Sequence, residues 1–292
     1  MSARRVLVLG DVMLDVVVRP HGSIAPTSDT ASEIRVVRGG SSATLAVALA
    51  RRGHEVTFVG ACGDDLAADL VERSLEDAGV TARLQRVDAS TGVVVALISE
   101  EGERAMMSDR GANRFLEREF VVDAFESSEH LHVSGYVILD GETRNVGATA
   151  LAEARARAMS TSVDVCSVAP LRVLGSSRFL EATLDAQSIF ANEEEALALA
   201  ESSDLDGAVD FLAHRYDEVL VTRGPEGAWS HVEGHRHWVQ AREVEVRDTT
   251  GAGDASTGAY LGARLEGASV VEAMQAAMDA GARAVSELGA PS

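Results

Sequence analysis

A chain of 292 residues with 46% hydrophobic side chains suits one large α/β domain, or a domain with a smaller appendage. With 46 acidic residues against 26 basic, the net charge of −20 speaks against nucleic acid or an anionic membrane surface as a partner, although a local cradle can still hold ATP. All 26 basic residues are Arg, so chemistry that needs a lysine is excluded: a Walker-type phosphate loop, a Schiff base, pyridoxal phosphate, or a protein-kinase ATP site.

The first apolar run, 6–9, follows Met-Ser-Ala-Arg-Arg directly, a start too short for a signal peptide. No apolar run approaches ~18 residues, so the expected compartment is the cytoplasm. Strand-length runs recur at 56–59, 131–134, 163–166, 189–191 and 219–222, with helix-like stretches at 43–52, 66–78, 143–158, 193–200 and 208–215 between them. This alternation predicts βαβ units, hence a doubly wound, mostly parallel sheet covered by helices on both faces. Two segments break the rhythm, about 16–38 and 91–108. Each carries alternating apolar residues around a turn, which predicts antiparallel strands outside the main sheet, arranged as a small β lid over its carboxyl edge. The whole chain, 1–292, is expected to form one domain. Cys62 and Cys166 fall inside strand-like segments and read as buried thiols. His130 and His132 alternate along one run, and the pattern around His231, His235 and His237 predicts a hairpin. No acidic or Cys partner has zinc-ligand spacing, so these read as solvent-facing or satisfied strand histidines.

Chemistry concentrates in a few places. Gly10-Asp11-Val12-Met13-Leu14-Asp15 ends the first strand with two carboxylates and lacks the G-x-G-x-x-G turn of a dinucleotide-binding fold. Gly39-Gly40-Ser41-Ser42 opens a helix with paired glycines. Asn192-Glu193-Glu194-Glu195 follows a strand and reads as a helix cap with an acidic first turn. Asp248-Thr249-Thr250-Gly251-Ala252-Gly253-Asp254 precedes the helical stretch 255–265. Small residues there let several N–H groups point at one spot, beside a helix N-terminus and a carboxylate. Anion stabilisation next to a general base is what moving a phosphoryl group onto a hydroxyl requires.

In their order along nearly the whole length, these motifs resemble the ribokinase (PfkB-type) family of carbohydrate and nucleoside kinases. The resemblance implies a ribokinase-like fold and an ATP-dependent phosphotransferase acting on a small sugar. It makes Asp254 the base that takes the acceptor's proton, and the amides of Gly251, Ala252 and Gly253 the anion hole. Gly39 and Gly40 correspond to the sugar-binding turn, with Thr44 where the family usually has Asn. Asp15 corresponds to the carboxylate that holds sugar hydroxyls, with Asp11 as a possible helper. Asn192 and Glu195 resemble the Asn-x-x-Glu motif that organises ATP and water-bound Mg²⁺. Thr222, Gly224 and Gly227 resemble a Thr-x-Gly-x-x-Gly turn bordering ATP. Asp248 and Thr250, with the carbonyls of Ala284, Glu287 and Gly289, are the candidate ligands of a monovalent cation such as K⁺. Met278 replaces an often polar residue near adenine, and Ala255-Ser256 replaces a frequent Phe. Arg110, in the flap segment 108–113, can reach a sugar-acid carboxylate, with Asp109 and Glu117 as alternative partners. A sugar acid such as 2-keto-3-deoxygluconate or a nucleoside stays open as acceptor, as does a catalytically idle binding protein. The edges of the flap strands invite a homodimer through the lid.

Overall fold

A computed structural model describes residues 3–99, 104–125, 128–246 and 249–286. Among these residues, thirteen strands form two sheets. In chain order they are β1 (Arg5–Leu9), β2 (Met13–Pro20), β3 (Ser32–Gly39), β4 (Glu55–Cys62), β5 (Thr81–Arg86), β6 (Gly92–Ile98), β7 (Arg104–Asp109), β8 (His130–Ser134), β9 (Ser160–Asp164), β10 (Ser188–Asn192), β11 (Glu218–Thr222), β12 (Ala228–Val232) and β13 (His235–Val239). The helices are α1 (Ser41–Arg51), α2 (Leu66–Asp77), α3 (Arg118–Val122), α4 (Gly135–Leu139), α5 (Arg144–Ala156), α6 (Val168–Leu174), α7 (Ser176–Ala182), α8 (Glu193–Ala200), α9 (Leu205–Ala213), α10 (Ala252–Leu265) and α11 (Val270–Ser286).

The larger sheet has nine strands in the order β13-β12-β11-β10-β9-β8-β1-β4-β5, parallel from β11 to β5, with an antiparallel hairpin at the other edge. Strands such as Val6–Leu9 are apolar on both faces because helices cover both faces. One core lies under α3 to α9 and the other under α1, α2, α10 and α11. Four of the six predicted main-sheet strands and helix 193–200 recur nearly residue for residue. The run 163–166 does not: β9 ends at Asp164, and Cys166 lies beyond it with φ 70°, half-buried in a loop rather than inside a strand. Cys62 is the buried last residue of β4, as expected.

The second sheet has the order β3-β2-β6-β7. Its hairpins β2–β3 and β6–β7 are antiparallel, but they join through a parallel β2–β6 pair, which the purely antiparallel expectation missed. Its first strand begins earlier than the predicted insertion, at Met13 rather than 16, whereas β6 begins at Gly92, within a residue of the predicted 91. Alternation is clean: Asp15, Val94 and Ser108 share one face, whereas Val16, Val36, Val95 and Met107 form a row on the other.

His130 and His132 are satisfied, not exposed. His130 shares hydrogen bonds with Ser160 Oγ and Ser162 Oγ, both 2.8 Å, and His132 Nδ1 lies 2.9 Å from Ser162 Oγ. The His132 ring stacks on Phe190 at 6.2 Å between centroids. Burial without a countercharge pushes both imidazoles down to a pKa of about 3, so they are neutral at physiological pH.

Candidate active site

The carboxyl ends of the parallel strands bring the chemical groups to one edge. Ser134 ends β8, Asp164 ends β9, Asn192 ends β10 and Thr222 ends β11, with Asn192 opposite Thr222 in register. Ligands of open α/β sheets bind outside this edge. Two helix N-termini also converge there. Gly40 precedes α1 and Gly251 precedes α10, both with positive φ (93° and 69°) that glycine adopts without strain. The helices pack so closely that a Cβ on Gly258 would meet the Ala48 Cβ at 2.7 Å.

The turn 249–254 is a wall between two cavities. On one side Thr250, Gly251 and Asp254 line a cavity of about 450 Å³, with Asp11, Met13, Asp15, Gly39, Gly40, Ser41 and Thr44 across from them. The second sheet contributes Val94, Met106 and Ser108 to this cavity, and Arg110, Tyr136 and Cys166 complete its far side. On the other side Thr249, Ala252, Gly253 and Ser256 line a cavity of about 430 Å³ together with Thr222, Gly224 and Met278. Gly227 stays out of it: a Cβ there would lie 2.1 Å from the Val239 carbonyl, so this glycine permits the turn rather than lining the cavity. Within the wall, the Ala252 N–H turns back to the Thr249 carbonyl at 3.4 Å.

Carboxylates dominate the first cavity. Asp254, in the first turn of α10, accepts a hydrogen bond from Ser41 Oγ at 2.5 Å. Burial, with the nearby Asp11, pushes it up to a pKa of about 6 against the opposing pull of Ser41 and Arg38. Asp15 is likewise raised to about 6, by burial and then by Asp11, and its Oδ1 is buried with no hydrogen-bond partner. An orphaned carboxylate oxygen in a cavity is satisfied most simply by a ligand hydroxyl. Asp11 accepts from Ser134 Oγ at 3.1 Å.

Arg38 was not anticipated. It is 7% exposed at the end of β3, its Nη1 donates to Thr44 Oγ1 at 3.4 Å, and burial holds it down to a pKa of about 10 beside Asp15. The Thr44 hydroxyl, expected to face sugar, is thus already engaged by a cation. Arg110 does reach the cavity, but neither expected partner holds it. Its Nε contacts Asp140 Oδ2 at 3.2 Å and its guanidinium lies over the Tyr136 ring at 5.3 Å. Asp109 instead accepts from the Gly111 N–H. Ser41 and Cys166 also escaped sequence reasoning, because a serine after paired glycines and a lone thiol carry no pattern.

Asn192 and Glu195 form a full capping box: the Asn192 side chain accepts from the Glu195 N–H, and the Glu195 carboxylate accepts from the Asn192 N–H, both at 2.9 Å. Glu195 is 4% exposed, and burial raises it to about 7. The buried Asp164 is raised well above the usual carboxylate range by burial and by Glu195 and Asp254, while its oxygens accept from the Cys166 N–H and from Thr257 Oγ1. Of the expected monovalent-cation ligands, Thr250 lines the first cavity and Ala284 lies on α11. Asp248, Glu287 and Gly289 lie outside the described residues. Among the described residues, no cluster of three or more His, Cys, Asp or Glu side chains is disposed to hold a metal.

The chain and its fold have counterparts among known proteins. The chain is 29% identical to the ATP-dependent ribose-1-phosphate kinase of Halopiger xanaduensis over 99% of its own length and 94% of that protein's. It is 28% identical to a fructokinase of Vibrio alginolyticus over 98% and 94%. Among solved structures, adenosine kinase from Sinorhizobium meliloti superposes with a TM-score of 0.90 at 25% identity, over 100% of this chain and 96% of that one. Ribokinase from Thermotoga maritima superposes with a TM-score of 0.81 at 25% identity, over 98% and 94%. The description "pfkB family carbohydrate kinase" matches residues 3–292, so this ribokinase-like α/β chain belongs to the PfkB family of carbohydrate kinases, phosphotransferases that act on a sugar or nucleoside hydroxyl.

Proposed function

We propose that this enzyme transfers the γ-phosphoryl group of ATP to a hydroxyl of a small neutral sugar. The observation that carries this reading is the shared wall: Asp254 opens on one cavity and its sequence neighbour Gly253 on the other. A sugar in the first cavity presents its hydroxyl to Asp254, and ATP in the second presents its γ-phosphorus across the turn. Asp254 takes the proton as the acceptor O–H bond breaks, the oxygen forms a new O–P bond, and ADP leaves with the bridging oxygen. The Gly251 and Gly253 amides and the α10 N-terminus favour the charge that builds on the phosphoryl oxygens. The Ala252 amide joins them once it leaves Thr249.

Asp15, with its orphaned oxygen, and Asp11 accept hydrogen bonds from sugar hydroxyls, and Gly39 and Gly40 let the sugar approach the backbone. Thr222 and Gly224 border the nucleotide, and Met278 supplies apolar contact for its base. Residues fit a hydrated Mg²⁺ near Glu195: the raised carboxylates of Glu195 and Asp164 mark an excess of negative charge that a dication would offset, and Mg²⁺ usually keeps its waters and takes few carboxylates. The ion would neutralise the polyphosphate; Asn192 orients Glu195 by capping it. Thr250 and the Ala284 carbonyl are the candidates among the described residues for holding K⁺. The small sheet acts as a lid whose inner face, with Val94 and Met106, excludes water from the transfer.

A second reading is favoured by one observation. Arg110 lines the acceptor cavity and is the single cation among its lining residues, so an acceptor bearing a carboxylate or phosphate would draw it from Asp140. Three carboxylates facing one already-paired arginine make the neutral sugar the better fit. The lid also supports a homodimer, because its outer rows are apolar and Ile34, Val36 and Met107 are each more than half exposed. A reaction that uses ATP implies the cytoplasm. Among the described residues no helix is long and apolar enough to cross a membrane.

ADP release from Mg·ATP with K⁺ tests the reading against neutral sugars, sugar acids, sugar phosphates and nucleosides. Turnover with one neutral sugar, lost by about 10²–10⁴-fold in Asp254→Asn, is the expected result. Turnover that survives Asp254→Asn refutes the base, and turnover restricted to anionic acceptors refutes the neutral-sugar assignment.

A further inference from the structure

We propose that Ser41 is the positioning residue of the base: its hydroxyl pins one oxygen of Asp254, and it is itself seated by the Cys166 thiol. The inference rests on Asp254 being the base.

Ser41 is the first residue of α1 and Asp254 lies in the first turn of α10. The close α1–α10 packing at Gly258 brings these two turns together across 213 residues of chain. From Asp254 a chain of polar atoms runs through the wall of the acceptor cavity. Ser41 Oγ donates to Asp254 Oδ1 at 2.5 Å and lies 3.6 Å from Cys166 Sγ. The same sulfur lies 3.5 Å from Ser134 Oγ, which donates to Asp11 Oδ1 at 3.1 Å. Each hydroxyl has one proton, and each spends it on a carboxylate. Both serine oxygens therefore turn lone pairs toward the sulfur, whose single proton serves one of them at a time, with the Asp164 carbonyl at 3.8 Å as a third acceptor. Burial, then Asp164, Asp11 and Asp254, push the Cys166 thiol well above its ordinary pKa, in keeping with that proton count. The left-handed backbone at Cys166 and its N–H bond to Asp164 hold the sulfur at this junction.

With Oδ1 pinned, Asp254 cannot spin about its terminal bond, and its second oxygen is left for the acceptor hydroxyl. Such orientation is what a base needs before transfer. The ionised state also needs help, because Asp254 faces Asp11 from the β1–β2 turn, Asp15 from β2, Asp164 from β9 and Glu195 from α8. Tyr136 of α4 and Cys166 face it as neutral groups. Among the described side chains, the Ser41 hydroxyl and Arg38 of β3 are the ones that favour the carboxylate, beside the N-terminus of α10.

The test uses the full enzyme with the acceptor found in the panel, as Ser41→Ala, Ser41→Thr, Cys166→Ala and Asp254→Asn. Loss of a hydrogen bond to a charged group shifts the acidic limb of kcat/KM upward by about one pH unit in Ser41→Ala. Turnover then falls about fivefold at pH 6, with Asp254 at about 6 in the wild type, and recovers above pH 8, while KM for ATP stays within twofold. Ser41→Thr keeps the hydroxyl and restores the limb; Cys166→Ala, which unseats the serine, moves it the same way by less. An unmoved limb in Ser41→Ala, or a shift in Ser41→Thr as large as in Ser41→Ala, overturns the proposal. Where Ser41→Ala does not fold, the direction of the Cys166→Ala shift decides. If Asp254→Asn remains active, the failure belongs to the base assignment; if it is dead and the Ser41→Ala limb is unmoved, the failure belongs to Ser41.

Discussion

Gly39 and Gly40 are adjacent, yet adding one methyl group to each should do opposite things. A Cβ at Gly39 would lie 1.9 Å from Asp15 Oδ1 and 2.2 Å from its Cγ. The obstacle is the end of a side chain, so Asp15 swings aside and the backbone stays. The stability cost is below about 1 kcal/mol. The acceptor, however, loses one or two hydrogen bonds to a charged oxygen, about 2–4 kcal/mol in all. At 1.4 kcal/mol per factor of ten, KM for the acceptor rises roughly 30- to 700-fold. A Cβ at Gly40 meets backbone instead, the Asp11 carbonyl oxygen at 2.5 Å, and does so at φ 93°, where a side chain is strained in any case. Strain of about 1–3 kcal/mol adds to the clash, so Gly40→Ala is destabilised by about 3 kcal/mol or more. Denaturant unfolding and steady-state kinetics on both variants separate the effects. A Gly39→Ala enzyme that is strongly destabilised but keeps its acceptor KM refutes Asp15 as the sugar-binding carboxylate.

The lid dimer predicts a concentration-independent dimer mass in light scattering that becomes monomeric in an Ile34→Lys, Val36→Lys double variant with its fold intact; a wild type that is monomeric across concentrations removes the dimer. His132 is neutral in the fold, with a pKa of about 3 against about 6.5 unfolded, so its stabilisation is complete above pH 6.5 and is lost as pH falls through the window from 6.5 to 3. The margin by which the wild type exceeds His132→Phe in unfolding free energy should therefore shrink by about 2–3 kcal/mol between pH 7 and pH 4.5. A margin independent of pH refutes the buried neutral imidazole. The raised Asp15, Asp254 and Glu195 act with the opposite sign over the same range, so only the difference between the two proteins isolates the histidine.

Period and spacing alone were enough for the parallel sheet, for helix 193–200 and its Asn192 cap, and for the glycine turn ahead of α10. Each is a local property: apolar runs of strand length, an acceptor side chain three residues before an acidic N3, small residues before a helix. The strand edge β5 escaped because Thr81–Arg86 is half-buried with arginines at two of its six positions. The lid's parallel β2–β6 pair escaped because strand direction is settled by where the chain re-enters the sheet, not by composition. The site divides in the same way. That Asp254, Asp15 and the 251–253 turn belong to one site was implied by the resemblance to the family, and in the fold Asp254, Asp15 and Gly251 line one cavity. That Ser41 reaches Asp254, that Arg38 lies buried against Thr44, and that Arg110 chooses Asp140 over its sequence neighbours depended on helix packing and sheet register, which join residues tens to hundreds of positions apart. Side-chain chemistry is written in the sequence; which oxygen faces which donor, and hence each carboxylate's proton affinity, comes only from the burial and proximity that the folded chain creates.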